Sequence, residues 1–322
     1  MNVRIDANEI LLLFKNRVID NADISCEITG ASTFNNPKNN TVLFSKTYSE
    51  VHLAVIEELT DCCIFLHNNY KGKTKTRKNI LIFGDNPRLD FAEALTYIVR
   101  GYEKFNPDRF KIVNYSIIGE NTIIGENTVI EPFCYIDNDV VIGNNCYIMT
   151  GSKIRKNVVI GNNCILRENC VIGGWGFGFE KDENNVYHRL PHIGGVIIGD
   201  NVEIGEFTAV CSGTIDPTII HSGVKIDNLV HIAHNCEIGE NTVIIACAEV
   251  SGSTKIGANC WIAPNSTIIN KINIGNDVTI GMGAIVLKDV PENSVLVGHK
   301  AETIENAKKF DIIKNRLISK EE

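Results

Sequence analysis

Ile220-His-Ser-Gly-Val-Lys-Ile226-Asp-Asn-Leu-Val-His-Ile232-Ala-His-Asn-Cys-Glu-Ile238-Gly-Glu-Asn-Thr-Val-Ile244 carries an aliphatic residue at every sixth position. The series continues without a miss through Val250, Ile256, Ile262, Ile268, Ile274, Ile280 and Val286. Upstream it begins at Ile118 and passes through Ile124, Ile130, Ile136, Ile142, Ile148, Ile154, Ile160, Leu166 and Ile172. After a break it resumes at Ile198, Ile204 and Val210. Four residues after each aliphatic there is usually a small residue, such as Thr122, Cys134, Cys164, Cys236 or Ser266. Gly-Glu-Asn or Gly-Asn-Asn commonly fills the gap between them.

A period of six matches neither the 3.6 of an α-helix nor the 2 of an alternating strand. It fits a three-sided prism in which each side is a short strand and each corner a turn. The aliphatic and the small residue point inward, and Gly, Asn and Asp supply corners with φ > 0. Three such units make one 18-residue coil, and successive coils stack at about 4.8 Å, the ordinary strand spacing. The expected fold class is mainly β, a left-handed parallel β-helix. A coiled coil or an ordinary globular domain would have to produce twelve successive matches between 220 and 286 by chance.

The rest of the composition bounds the function. The net charge of −8 and pI near 5.6 argue against a nucleic-acid binder, which would show a basic face. No apolar run approaches the roughly 20 residues that span a bilayer, and Met1 to Glu9 lacks the basic-then-apolar order of a signal peptide. The eleven cysteines lack the tight paired spacing of a zinc site, and most share one phase of the repeat. They read as small buried thiols in a reducing cytosol, so the expectation is a cytoplasmic protein without bound metal.

Three regions follow. Residues 1–105 lack the six-residue period and read as a small α/β domain. Helices are expected over Asp6–Lys15, Ser49–Leu59 and Asp90–Tyr102, and strands over Thr41–Phe44, Cys63–Leu66 and Asn79–Phe83. The basic stretch Lys71–Lys78 reads as a solvated loop. Residues 106–300 form the β-helix, and 301–322, rich in helix formers, a C-terminal helix packing against the trimer or a neighbouring subunit. The β-helix is interrupted twice. Residues 173–195 form a long loop rich in glycine and aromatics, and a shorter insertion falls between Val210 and Ile220. Loops of that length in a compact solenoid are usually functional.

His234 stands two residues after the inward Ile232, at a corner, so its side chain points out of the prism. That position disfavours a satisfied core histidine and suits a general base, which amide formation from a thioester requires. One coil on, 18 residues later, is Gly252. A glycine beside the histidine lets an acyl carbonyl approach a backbone N–H as an oxyanion donor; a plain turn glycine is the alternative. His231 faces the same cleft less surely, and His188, His192 and His221 read first as loop or surface residues. Asp227 and Asn228 would orient a histidine or a sugar hydroxyl, or simply form a turn.

Several stretches resemble the UDP-3-O-acylglucosamine N-acyltransferases of lipid A synthesis. They are Gly176-Phe-Gly-Phe179 with Pro191-His-Ile-Gly-Gly-Val-Ile-Ile-Gly-Asp200, Val202-Glu-Ile-Gly205, and Val224-Lys-Ile-Asp-Asn-Leu-Val-His-Ile-Ala-His-Asn235. Ile28-Thr-Gly-Ala31, Phe44 to Tyr48 and Asn86-Pro-Arg-Leu-Asp-Phe-Ala92 are similar too. The resemblance implies a homotrimer with active sites between subunits and a nucleotide held by the N-terminal domain, its base stacked on Phe44 and Tyr48. It implies His234 as catalytic base and Gly252 at the oxyanion position. Phe177, Phe179, His192, Asp227, Asn228 and His231 are then candidates for contact with the acceptor.

The departures redirect the donor. Cys211-Ser-Gly-Thr-Ile215 replaces the family's Ile-Asp-Arg-Gly-like stretch, and Asn270-Lys271 stands where the family has a Gly-His pair. Gly281 to Gly298 resembles hexapeptide transferases of the acetyl-CoA kind. Lys271 and Met282 are therefore candidates for the donor, and the expected reaction moves an acyl group from acyl-CoA to the amine of a dTDP- or UDP-linked amino sugar for surface glycans. The anthrose-type N-acyltransferases share this domain arrangement. The alternative is the lipid A enzyme itself, with hydroxyacyl-acyl carrier protein as donor. A non-catalytic trimer that binds nucleotide sugars is the rival from another class. A γ-class carbonic anhydrase needs three zinc-binding histidines on adjacent coils, and Gly252 beside His234 disfavours it.

Overall fold

The computed structural model of the protein describes residues 4–100 and 110–298, with 301, 303–306 and 309 beyond them. The boundary at 105/106 and most of the expected C-terminal helix lie outside the described residues. From residue 116 onward the chain winds a left-handed parallel β-helix whose three faces hold, among the described residues, eight, nine and nine parallel strands, the third sheet gaining Phe110–Val113 as an antiparallel tenth strand. Each coil adds one strand of about two residues to each face, and register holds Ile124 against Ile142, Ile130 against Ile148 and Ile136 against Ile154. That is the 18-residue offset expected from the period.

The periodic aliphatics fill the axis. Ile136, Ile148, Ile154, Leu166, Ile172, Ile204, Ile232, Ile244, Val250 and Ile268 are fully buried. Stacked at strand spacing, each contributes about 1.5–3 kcal/mol of apolar burial. Cys134, Cys146, Cys164, Cys170, Cys236 and Cys260 are buried thiols, whereas Cys247 is exposed at a corner. Corners turn through left-handed residues, mostly Asn, among them Asn127, Asn145, Asn163, Asn241 and Asn259. Asparagine tolerates that conformation because its short amide bonds locally.

The N-terminal domain is a five-stranded sheet in the order Val18–Asp20, Ile80–Gly84, Cys63–His67, Thr41–Ser45, Gly30–Ala31. All neighbours are parallel except the first pair. Three helices accompany it: α1 (Ala7–Leu11), α2 (Glu50–Glu58) and α3 (Pro87–Val99). The helix starts are capped by side chains, Asp6 bonding Asn8 N–H, Ser49 bonding His52 N–H and Asn86 bonding Leu89 N–H. Asn86 with Pro87 at the first helical position starts α3 three residues before the expected Asp90.

The domain is fastened to the β-helix by the two interruptions. Leu190, Ile193 and Ile215 pack into the core between the sheet and α3. The Arg88 guanidinium meets the Glu180 carboxylate at 2.7 Å, and Thr33 Oγ1 donates to Asp216 Oδ2 at 2.7 Å. Residues 173–195 are thus not a free loop. They leave the prism, form the hairpin Phe179–Lys181 with Tyr187–Arg189, dock on α3 and return at Gly195.

Candidate active site

The ten-stranded face carries the strand His231–Ile232, and the corner that follows presents His234. His234 is half-buried, and the next coil brings Gly252 against it. A Cβ on Gly252 would lie 2.9 Å from both Cε1 and Nε2 of the imidazole, so only glycine leaves the ring its place. The 18-residue offset that linked these two residues in the sequence is a direct contact.

Asn235 decides the tautomer. Its Nδ2 donates to the Asp216 carbonyl at 2.8 Å, which fixes the amide so that Oδ1 faces His234. Oδ1 then accepts from Thr214 N–H at 3.0 Å, from Thr214 Oγ1 at 2.9 Å and from His234 Nδ1 at 3.0 Å. An amide oxygen cannot donate, so Nδ1 carries the hydrogen and neutral His234 leaves Nε2 as a bare acceptor toward Gly252. The insertion between Val210 and Ile220 therefore has a definite task, which is to hold Asn235. Sequence reasoning gave the orienting role to Asp227 and Asn228 instead.

At several other corners the N–H in the position of Gly252 is bonded by a side chain of the next coil: Glu126 to Asn144 Oδ1, Asn144 to Asn162 Oδ1, Glu206 to Asn228 Oδ1. Ser251 N–H donates to Ile268 O and Ser253 N–H to His234 O. Among the described residues, Gly252 N–H has no such acceptor. A donor left open beside a bare imidazole nitrogen is what an oxyanion needs.

The two groups open into a cavity of about 330 Å³. Trp175, Phe177, His231, Glu249, Ser251, Asn270 and Lys271 also line it. His231, Phe177 and Lys271 are thus brought to the site with His234 and Gly252. His192, six strands earlier in the chain and on the 173–195 excursion, is brought against the base. Its ring centroid lies 5.0 Å from that of His234, edge to face. Burial, with the positive groups around it, pushes its pKa down to about 4.

Other expected positions fall elsewhere. Phe44 is half-buried and packed on Phe91 at the edge of the domain core, centroids 4.9 Å apart. The Tyr48 ring is covered by Lys73 Nζ at 3.7 Å and Tyr70 at 5.1 Å, and its hydroxyl bonds Glu50. Phe179 stands behind Phe177, with the Arg189 guanidinium 4.6 Å over its ring. Asp227 and Asn228 form the turn at a different corner of the prism, where Asp227 accepts from Asn228 N–H and Ala246 N–H. Met282 is exposed at that same corner three coils on, away from His234 in its own protomer. Among the described residues no group of three or more His, Cys, Asp or Glu could hold a metal, and no helix is long and apolar enough to cross a membrane.

A family model described as bacterial transferase hexapeptide (six repeats) matches residues 139–174, 217–252 and 253–288. The matched stretches, about a third of the chain, all lie within the prism. A UDP-3-O-acylglucosamine N-acyltransferase of Methylobacillus flagellatus is 50% identical over 184 residues, 57% of this chain and 52% of that protein. Another, from Coxiella burnetii, is 53% identical over 122 residues, 38% of this chain and 36% of that protein. The chain thus spans about half or less of the length of these curated relatives. Among solved structures, the UDP-N-acetylglucosamine acyltransferase of Francisella novicida superposes with a TM-score of 0.54 at 27% identity, covering 58% of this chain and 67% of that one. That of Bacteroides fragilis gives 0.51 at 29% identity, covering 56% and 69%.

One corner of the hexapeptide domain departs from the asparagine rule. Phe207, Leu229 and Cys247 take successive left-handed positions there, with φ of 56°, 59° and 60°. Bulky apolar residues are disfavoured in that conformation. Phe207 and Leu229 are also 62% and 58% exposed in the single chain.

Proposed function

We propose that the protein is an N-acyltransferase that moves an acyl group from a thioester to the amine of a UDP-linked 3-O-acylglucosamine. The observation that carries the reading is His234 Nε2, bare by virtue of the Asn235 bond to Nδ1 and seated against the open N–H of Gly252. The acceptor is the one named for relatives that share half their aligned residues with this chain. That likeness favours it over the amino sugar of surface glycans expected above, and it brings hydroxyacyl-acyl carrier protein forward as donor.

In this mechanism the acceptor amine attacks the thioester carbon, and the carbonyl electron pair moves to oxygen. Gly252 N–H holds that oxyanion, while Nε2 of His234 takes the proton from the attacking nitrogen. Collapse re-forms the carbonyl and expels the thiolate, which takes the proton back from the imidazolium. Asn235 holds the ring through both transfers, and its Oδ1 stabilises the imidazolium as an acceptor at Nδ1.

A homotrimer fits the same reading. An apolar corner of exposed Phe207 and Leu229 is costly in an isolated chain and is relieved when a second copy covers it. A second reading keeps a short acyl-CoA as donor to another nucleotide-linked amino sugar. Asn270 and Lys271 favour it, since they line the cavity where the resembled family has Gly-His.

The test is mass-spectrometric turnover of the full chain with UDP-3-O-acylglucosamine and with dTDP- and UDP-amino sugars. Each is offered hydroxyacyl-acyl carrier protein, 3-hydroxybutyryl-CoA and acetyl-CoA, with His234→Ala alongside. Product from UDP-3-O-acylglucosamine with the carrier-protein donor, lost in the variant, is expected. Product only from a short acyl-CoA selects the second reading, and equal turnover by His234→Ala refutes the mechanism.

A further inference from the structure

The strap Gly176-Phe177-Gly178 buries the wrong side chain. Phe177, apolar, is 87% exposed at the rim of the His234 cavity, whereas His192, polar, is only 3% exposed beneath the strap. Ring atoms of His192 lie 2.7 Å from where a Cβ would stand on Gly176 and on Gly178, so the two glycines form a close cover over the imidazole. Both ring nitrogens are buried and neither has a well-formed hydrogen-bond partner. The backbone of Leu190 offers only a weak contact. A buried unpaired polar atom is costly, and an exposed phenyl forgoes its burial. One rearrangement corrects both faults.

We infer that His192 is an acceptor-binding residue, covered by the strap in the free protein and uncovered when the strap rolls Phe177 over a bound nucleotide sugar. The ligand class follows from the imidazole. Kept neutral by burial, His192 offers one N–H donor and one bare nitrogen acceptor, which suits a sugar hydroxyl that both accepts and donates. The place suits it as well, since a group bonded to His192 lies beside the His234 ring, where the acceptor amine must stand. Gly176 is common to both histidines, its Cβ position lying 2.8 Å from His234 Cβ, so the strap's movement is felt at the base. This inference rests on the nucleotide-sugar reading above.

The sequence supplies a reporter, because Trp175 adjoins the strap and Trp261 is the only other tryptophan. In Trp261→Phe protein, Trp175 emission is followed while UDP or UDP-N-acetylglucosamine is added. We expect the sugar nucleotide to shift the emission and to bind more tightly than UDP. His192→Phe should remove that advantage, weakening UDP-N-acetylglucosamine about five- to tenfold while leaving UDP unchanged. Phe177→Ala, at an exposed position where folding is safe, should weaken the sugar nucleotide severalfold with an unchanged melting temperature. Binding without an emission change overturns the strap movement, and an intact sugar advantage in His192→Phe overturns the role of His192. If the unaltered protein binds neither nucleotide, the nucleotide-sugar reading itself fails and the inference falls with it.

Discussion

Two corners of the same prism are built on one repeat and end in opposite states. At the corner of Glu126, Asn144 and Asn162, the N–H of each of these residues is bonded by a side chain of the next coil, ending at Asp200 Oδ1. At the corner of His234 and Gly252, the ladder is cut. Glycine has no side chain to bond His234 N–H, and Asn270 does not reach Gly252 N–H. The first corner spends its polar groups on stability. The second keeps a bare nitrogen, an open N–H and an unpaired buried imidazole. The difference teaches that an open N–H marks a site only where a bare imidazole nitrogen stands beside it, as at Gly252 and His234.

The sharpest way to break the comparison is to give the cut corner a side chain. Gly252→Ala puts a methyl 2.9 Å from His234 Cε1 and Nε2. Gly252 is not in the left-handed region, so the backbone accepts alanine. We expect kcat to fall about 10²–10³-fold, or about 3–4 kcal/mol, with the melting temperature nearly unchanged. Retained turnover would show that the space left by Gly252 beside His234 is not used.

His192 gives the next effect, on stability rather than rate. Its folded pKa of about 4 lies below the unfolded value of about 6.5, so the unfolded chain binds the proton first. Stability is therefore lost as pH falls from 6.5 through 4, by about 3 kcal/mol from this group alone. The groups that hold the pKa down are burial first, then His234, Arg189 and Arg88. Urea unfolding of His192→Leu at the two pH values should lack that part of the loss. An equal loss in both proteins would place the acid sensitivity elsewhere.

The smallest effect belongs to the intact ladder. Asn144→Ala removes one side-chain acceptor and should cost about 1 kcal/mol of stability while leaving kcat within about twofold. A large loss of activity there would erase the distinction between the two corners.

The sequence made the coil legible because an inward aliphatic every six residues has one simple three-dimensional solution. The pairing of His234 with Gly252 came with it, since an 18-residue offset is a contact in any such coil. What stayed hidden depends on excursions that carry no period. His192 reaches His234 only through the hairpin at 179–189, and Asn235 orients the base only because the 211–218 insertion fixes its amide. Asp227 and Asn228 belong to another corner by simple count from Ile226, so their distance from His234 was available from the repeat.

The account's central claim is that His234 is held as the Nδ1–H tautomer with Nε2 free. Nitrogen NMR of ¹⁵N-histidine-labelled protein, with His234 assigned by His234→Gln, measures it directly at a pH where the ring is neutral. The account predicts a protonated Nδ1 and an unprotonated Nε2 for His234, with the pattern weakened in Asn235→Ala. A protonated Nε2 in the unaltered protein would leave no base facing Gly252 and would contradict it.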